Sequence, residues 1–595
     1  MNCKYCFVAV MIFFSSALYA LPTVKYTLGF EEPQTHYIKV KMEISNWSEP
    51  VCRLKLPVWT PGSYMVREYS RYLEQFKVYD AKQSLTVSRF RKNGWEVKTG
   101  STTDFTVEYY IYAYDLTVRT AFVDVEHAYF NGAAVFLYME NFKNISSTVK
   151  INPFKDWKKL SVALDPVNAD QPWIVSAPDY DALIDAPFEI GNHDVFSFTA
   201  AGIKHEMAMF GKSYFDSTAI KNDLIKIIEE ETKIFGENPC RRYLFIVHQI
   251  PVSTGGLEHR NSATLQVVRN AMSTPSGYNS FISLAAHEYF HIWNIKRLHP
   301  SVLTTFDYDN EIYTSLLFFA EGFTAYYSDM TTVRIKMVKP ENYLKTLMTN
   351  ISTVENTPGN KIQSLAEAGY DAWIKYYSRN ENSSNSTISY YSKGNVMGAM
   401  LDLLIIDATN GKSGLDDVMK YMYNQFYVKK NTGFTDAELI SSVEKICDCN
   451  MKSFFQNYIY DTKTIPYDSI FLKAGIKMTN SNKNPVPYSG FNFTNNNGKI
   501  TVSGVERNSP AWKGGLNVND EILAINDNRV IDDPQKIISS SVAGDIIRYL
   551  VNRSGRIKEV LIVIENSGKV SYEPTMMEDP DEKMKIVYNK WLNNN

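Results

Sequence analysis

From about residue 22 to 200, apolar and polar positions alternate in short runs, among them HYIKVKMEI at 36–44, FTVEYYIYAY at 105–114 and AAVFLYME at 133–140. A period of two broken by turn residues predicts an antiparallel β domain, with one face of each strand directed to a core. Beyond residue 215 the period lengthens to that of helices, beginning with NDLIKIIEEETKIFG at 222–236 and continuing to about 460. Two strand candidates interrupt it, RRYLFIVHQI at 241–250 and SATLQVV at 262–268, joined by the loop PVSTGGLEHRN at 251–261. The polar stretch NENSSNSTIS at 380–389 reads as an exposed loop, and from about 485 to 566 short strands return around one or two helices. These transitions predict an N-terminal antiparallel β domain over 21–205, a mostly helical α+β domain over 206–475, a small domain over 485–566 and a tail over 567–595.

Length and charge narrow the function classes. A polypeptide of 595 residues needs about three or four cores. Its 62 basic and 65 acidic residues leave a net charge of -3, which provides no field to gather nucleic acid or an anionic membrane surface, so peptide-like partners are expected. The first twenty residues combine Lys4, the apolar run YCFVAVMIFF and the small-residue ending SSALYA, the pattern of a secretory signal cut after Ala20. The run is too short to span a bilayer, and the mature protein is expected to be exported, periplasmic or extracellular, with no membrane span. Cleavage would leave Cys52, Cys240, Cys447 and Cys449, too few for a disulfide framework, and the one-residue gap between the last two does not suit zinc.

The chemistry concentrates in NSFISLAAHEYFHIWNIKR at 279–297, whose periodicity predicts a helix throughout. His287 and His291 then stand one turn apart on one face and can share a metal ion. Glu288, beside the first histidine, is placed to take a proton from water and not to ligate. A third protein ligand is needed. Glu321, in the otherwise apolar IYTSLLFFAEGFTAYYSDM, is the best candidate because an acidic side chain is costly there unless engaged, with Glu311 and Asp329 as alternatives in more polar surroundings.

Taken together, WTPGSYMVREYSR at 59–71, GGLEH at 255–259, HEYFHIWNIKRLHP at 287–300, AEGFTAYY at 320–327 and YYSKG at 390–394 resemble the M61 peptidase family, the glycyl aminopeptidases related to the M1 aminopeptidases. The resemblance implies a thermolysin-like catalytic domain, one Zn2+ ion held by His287, His291 and Glu321, and Glu288 as the catalytic base. It implies that Glu258 binds the α-ammonium of a peptide substrate, although GGLEH ends in His259 where the M1 phrase has asparagine. It also implies that Tyr391 stabilises the oxyanion, with Tyr390 as the register alternative. Gly255 and Gly256 would let substrate backbone lie along the strand. The segment KGGLNVNDEILAINDNRV at 513–530 resembles a PDZ domain, with YSGF at 488–491 near the expected carboxylate loop, so the C-termini of peptides are candidate partners. The expected activity is removal of N-terminal residues, glycine or other small ones, from peptides. The rivals are a zinc endopeptidase of the same fold and an inactive PDZ-based binding protein of the envelope.

Overall fold

The computed structural model describes residues 21–593 except 254, 484–485 and 531–532; the expected signal lies outside the described residues. In the N-terminal domain a seven-stranded sheet centres on Thr23–Gly29, Tyr37–Ser45 and Phe105–Tyr112. Ile38, Val40, Met42 and Ile44 are buried and their neighbours are not, as period two requires. One departure from the antiparallel expectation is Thr23–Gly29, which pairs parallel with Ser147–Asn152. The long intervening segment makes such a crossover possible.

The catalytic domain carries a five-stranded sheet in the order Asp194–Ala200, Ile203–Phe210, Arg242–Ile250, Ser262–Val268, Gly255–Glu258. The middle three strands are parallel, and Gly255–Glu258 folds back antiparallel to form one edge. The sheet thus begins at Asp194, ahead of the boundary expected at 205, because the hairpin Asp194–Phe210 hydrogen-bonds onward to Arg242–Ile250. Helices Ser217–Phe235 and Pro275–Phe290 pack on it, and Thr324–Arg334, Ser392–Ala408 and Pro340–Asn356 follow behind them. The turn of WTPGSY belongs to this core as well: Val58, Trp59 and Tyr64 are buried in the catalytic cluster, and Trp59 Nε1 donates to Asp307 O at 2.8 Å.

A third core forms around Ile500, Val502, Ile522, Tyr549 and Ile562 on a sheet that includes Phe491–Asn496, Lys499–Val505 and Ile546–Arg553. This unit is an insertion. Ile476–Asn480 leads out of the catalytic domain and pairs antiparallel with the returning strand Tyr572–Met576. The residues read as a tail then pack back: helix Glu582–Tyr588 is followed by Trp591, buried and donating from Nε1 to Tyr326 OH at 3.0 Å. Cys447 and Cys449 form a disulfide, while Cys52 and Cys240 are free and buried. Among the described residues, no helix is long and apolar enough to cross a membrane.

Candidate active site

The active-site helix starts at Pro275, with Thr274 Oγ1 accepting from Gly277 N as its cap. It ends at Phe290 and does not run on to 297. The backbone turns over Asn294 and Ile295, whose φ is 81°, and Arg297 Nη1 donates back to Ile292 O. His291 therefore sits in the closing turn, its Nδ1 3.1 Å from Asn294 O, which leaves Nε2 to face His287.

Glu321 lies in a π-helical turn, Phe318–Phe323, where the periodicity predicts a regular helix. The wider turn is tied down by Asn294, whose Nδ2 donates to Phe319 O at 2.9 Å, Ala320 O at 3.2 Å and Thr324 Oγ1 at 3.0 Å. One amide thus joins the end of the histidine helix to the turn bearing the carboxylate. Sequence reasoning missed this residue, since an asparagine just past a helix end signals only a turn.

His287 Nε2 and His291 Nε2 are 3.2 Å apart, and Glu321 Oε2 lies 3.5 and 3.4 Å from them. Three donors around one tetrahedral ion at about 2.05 Å would stand about 3.3 Å from each other. The set therefore fits a single divalent metal. Burial would raise the Glu321 carboxyl, but His291 and His287 hold it at about 2, ionised as a ligand must be.

These residues line a cleft of about 1020 Å³ together with Gly255, Gly256, Glu258, Glu288 and Tyr391. Burial pushes the Glu288 carboxyl up to about 8, with Glu258 and Glu321 adding to it against His291. A Cβ on Gly256 would stand 2.1 Å from Glu288 Oε1, so the glycine makes room for this carboxylate. Tyr391 lines the cleft with its ring 6.3 Å from that of His287, whereas Tyr390 is fully buried and lies outside the lining. Glu311 is not in the lining. Asp329 is, but it stands outside the histidine group and accepts from Asn395 Nδ2 at 2.8 Å.

Glu258 ends the edge strand. It is 4 % exposed and its carboxylate comes within 4.8 Å of Glu288 and His291. Gly62, from the N-terminal domain, presses against it: a Cβ there would meet Glu258 Oε1 at 2.6 Å. Among the described residues Arg260 does not pair with Glu258; its backbone N–H donates instead to Asp185 Oδ2. His259 also turns to Asp185, at 3.1 Å. Arg119, a second residue missed in the sequence, enters the cleft from the N-terminal domain and donates from Nη2 to Gly256 O at 3.3 Å.

Comparison with known proteins bears on this arrangement. The M61 peptidase N-terminal domain matches residues 25–192, the M61 glycyl aminopeptidase family matches 280–397, and a PDZ domain matches 501–553. The two M61 matches cover the WTPGSYMVREYSR segment and the segment that bears His287, His291, Glu321 and Tyr391. The chain is a metallopeptidase with a β-rich N-terminal domain, a mostly helical catalytic domain and a PDZ domain. A crystal structure of an aminopeptidase N family protein from Idiomarina loihiensis is similar, with a TM-score of 0.88 and 28% identity, covering 95% of this chain and 100% of that one. An M1 zinc metallopeptidase from Deinococcus radiodurans has a TM-score of 0.46 at 10% identity, covering 75% of this chain and 94% of that one. Yeast LTA4 hydrolase in complex with bestatin has a TM-score of 0.44 at 12% identity, covering 76% of this chain and 70% of that one. No curated protein sequence matches the chain.

The structure also contains a second buried group, His127, Glu189 and His248. Its spacing differs from that of the first. Glu189 is 2.8 Å from His127 Nδ1 and 2.9 Å from His248 Nε2, which are hydrogen-bond lengths and too short for edges of a metal tetrahedron. His248 Nδ1 faces Gln266 Nε2, an amide donor that also serves Leu116 O, so the ring proton sits on Nε2 and points at Glu189. This group is a hydrogen-bonded clasp between the N-terminal domain and the catalytic sheet.

Proposed function

We propose that the protein is an exported, zinc-dependent aminopeptidase that removes single N-terminal residues, glycine or other small ones, from peptides. The observation that carries this reading is the blocked end of the cleft. Beyond the metal ligands the edge strand terminates in Glu258, and Gly62 closes against its carboxylate. A substrate peptide laid along that strand would meet a buried negative charge within 4.8 Å of His291 and Glu288, which suits the α-ammonium of its first residue.

His287, His291 and Glu321 would hold the zinc ion, two imidazoles and a carboxylate being a common zinc hydrolase set. Zinc supplies Lewis acidity there, lowering the pKa of water and polarising a carbonyl. Glu288 takes a proton from the attacking water and returns it to the leaving amine, a task suited to a carboxyl whose buried site raises its affinity for protons. The Tyr391 hydroxyl donates a hydrogen bond to the oxyanion as it develops. Gly255 and Gly256 let substrate backbone approach the free edge, and Glu258 sets the register by pairing with the terminal amine.

The leader-like first twenty residues and the Cys447–Cys449 disulfide support export to an oxidising compartment. The PDZ domain, with Gly490 at φ 80° in its YSGF loop, is assigned to the C-terminal ends of longer substrates. Elemental analysis with peptide assays tests the metal assignment. Wild type should hold one zinc per protein molecule. His287→Ala, His291→Ala and Glu321→Ala should each lose it, and Glu288→Gln should keep zinc and lose turnover. Full zinc occupancy in Glu321→Ala would refute the ligand set.

A further inference from the structure

The cleft has a second end, chemically unlike the first. Glu258 groups with Glu288 and His291, where the histidine helix finishes. The opposite wall is built by Ser276 and Ser280 from the start of that helix and by Asp329 from the helix that follows Glu321. Asp329 lies eight residues beyond Glu321, about 12 Å along the rod at 1.5 Å per residue. The metal ligands thus stand between two carboxylates.

Asp329 accepts from Asn395 Nδ2, and no cation pairs with it among the described residues. Asn395 is 6 % exposed, and its Oδ1 is buried without a partner among them. Tyr343 also contributes to the cleft lining, is 3 % exposed and feels the charge of Asp329, and its hydroxyl is buried without a partner among the described residues. Asp329 is thus a cleft-lining carboxylate held from behind by one amide, with a buried phenol nearby, and it matches a group that brings N–H donors and a positive charge. Burial pushes the Asp329 carboxyl up to about 6, the cost that an incoming cation would offset.

We propose that Asp329, oriented by Asn395 and flanked by Tyr343, forms a subsite for the ammonium or guanidinium of a lysine or arginine in one of the two positions following the scissile bond. This deepens the aminopeptidase reading and rests on it for direction: with the α-ammonium at Glu258 and the first peptide bond over the metal ligands, the rest of the peptide leaves past Asp329. An extended peptide advances about 3.3 Å per residue, so a long basic side chain from the first or second of these positions spans the remaining distance. Cationic side chains in this region are selected, and acidic ones meet like charge.

The test uses the full-length enzyme and the peptides Ala-Lys-Ala-Ala, Ala-Met-Ala-Ala, Ala-Glu-Ala-Ala, Ala-Ala-Lys-Ala and Ala-Ala-Met-Ala, each with a free and an acetylated N-terminus. Lysine at one of the two positions should raise kcat/KM about tenfold or more over methionine at the same position, mainly through KM, and glutamate should lower it. Asp329→Asn should bring lysine and methionine to within about threefold of each other, and Tyr343→Phe should shift the ratio the same way by a smaller step. A wild type that treats lysine and methionine alike at both positions, or an Asp329→Asn enzyme that keeps the preference, would overturn the proposal. Equal cleavage of the acetylated series would refute the aminopeptidase reading while still measuring the lysine preference. If neither series is turned over, calorimetric binding of the same peptides to the Glu288→Gln protein gives the same comparison.

Discussion

Gly256 and Glu288 share one small volume, and the carboxylate proposed as general base has its position because residue 256 lacks a side chain. A Cβ at 256 would stand 2.1 Å from Glu288 Oε1 and 2.4 Å from its Cδ, so Gly256→Ala must displace the carboxylate. Zinc content should be unchanged while kcat falls by about a hundredfold, the usual effect of moving a catalytic group by about an ångström. Wild-type turnover in Gly256→Ala would remove Glu288 from its role. Tyr391→Phe takes away the proposed oxyanion donor and should lower kcat by about a hundredfold or more with little change in KM or folding. A crippled Tyr390→Phe beside a normal Tyr391→Phe would show the opposite register. His287, Glu288 and His291 were legible in the sequence because an i, i+4 pair with an intervening acid has few other uses. Asn294 and Arg119 were not, because each acts through backbone carbonyls far away in sequence.

At the scale of elements, the site depends on the contact between the π-helical turn and the helix Ser392–Ala408. Gly322 and Gly394 meet face to face: a Cβ on Gly394 would come within 2.7 Å of Gly322 Cα and 3.0 Å of Phe318 O. Glu321 precedes one glycine, and Tyr391 stands just ahead of the helix bearing the other. Gly394→Ala should therefore cost about 1–3 kcal/mol of stability, read as a lower denaturation midpoint. It should also weaken zinc binding, because the turn carrying Glu321 must move. A variant with unchanged stability and zinc affinity would show that the close approach is dispensable. Hydrophobic periodicity located these helices but not the π turn or the early end of the histidine helix. Both depend on tertiary partners, Asn294 above all, and local pattern carries no record of those.

At the scale of the whole molecule, the order of segments in sequence conceals how the domains interlock. The segment read as a tail returns to the catalytic core, because its apolar residues find their partners across the PDZ insertion and not beside it. Truncation after Asn480 would remove Tyr572–Met576 and Trp591 as well as the PDZ domain, and should destabilise the enzyme; Trp591→Ala alone should cost about 3–5 kcal/mol. Replacing residues 482–570 by Asn-Gly instead joins strands that already pair at Asn480 and Tyr572. That protein should keep cleaving dipeptides and lose efficiency on longer substrates, and equal loss on both would assign the PDZ domain to packing. The N-terminal domain is equally bound into the enzyme, since its Gly62 turn closes the cleft behind Glu258. On the proposed reading, this contact is what would separate an aminopeptidase from an endopeptidase with identical metal chemistry. The most direct test is to compare kcat/KM of wild type and Glu258→Ala on one peptide with its N-terminus free and acetylated. Wild type should strongly prefer the free amine, and Glu258→Ala should lose about thirtyfold to several thousandfold on it, retain zinc and discriminate little. Equal cleavage of the two peptides by the wild-type enzyme would contradict the account.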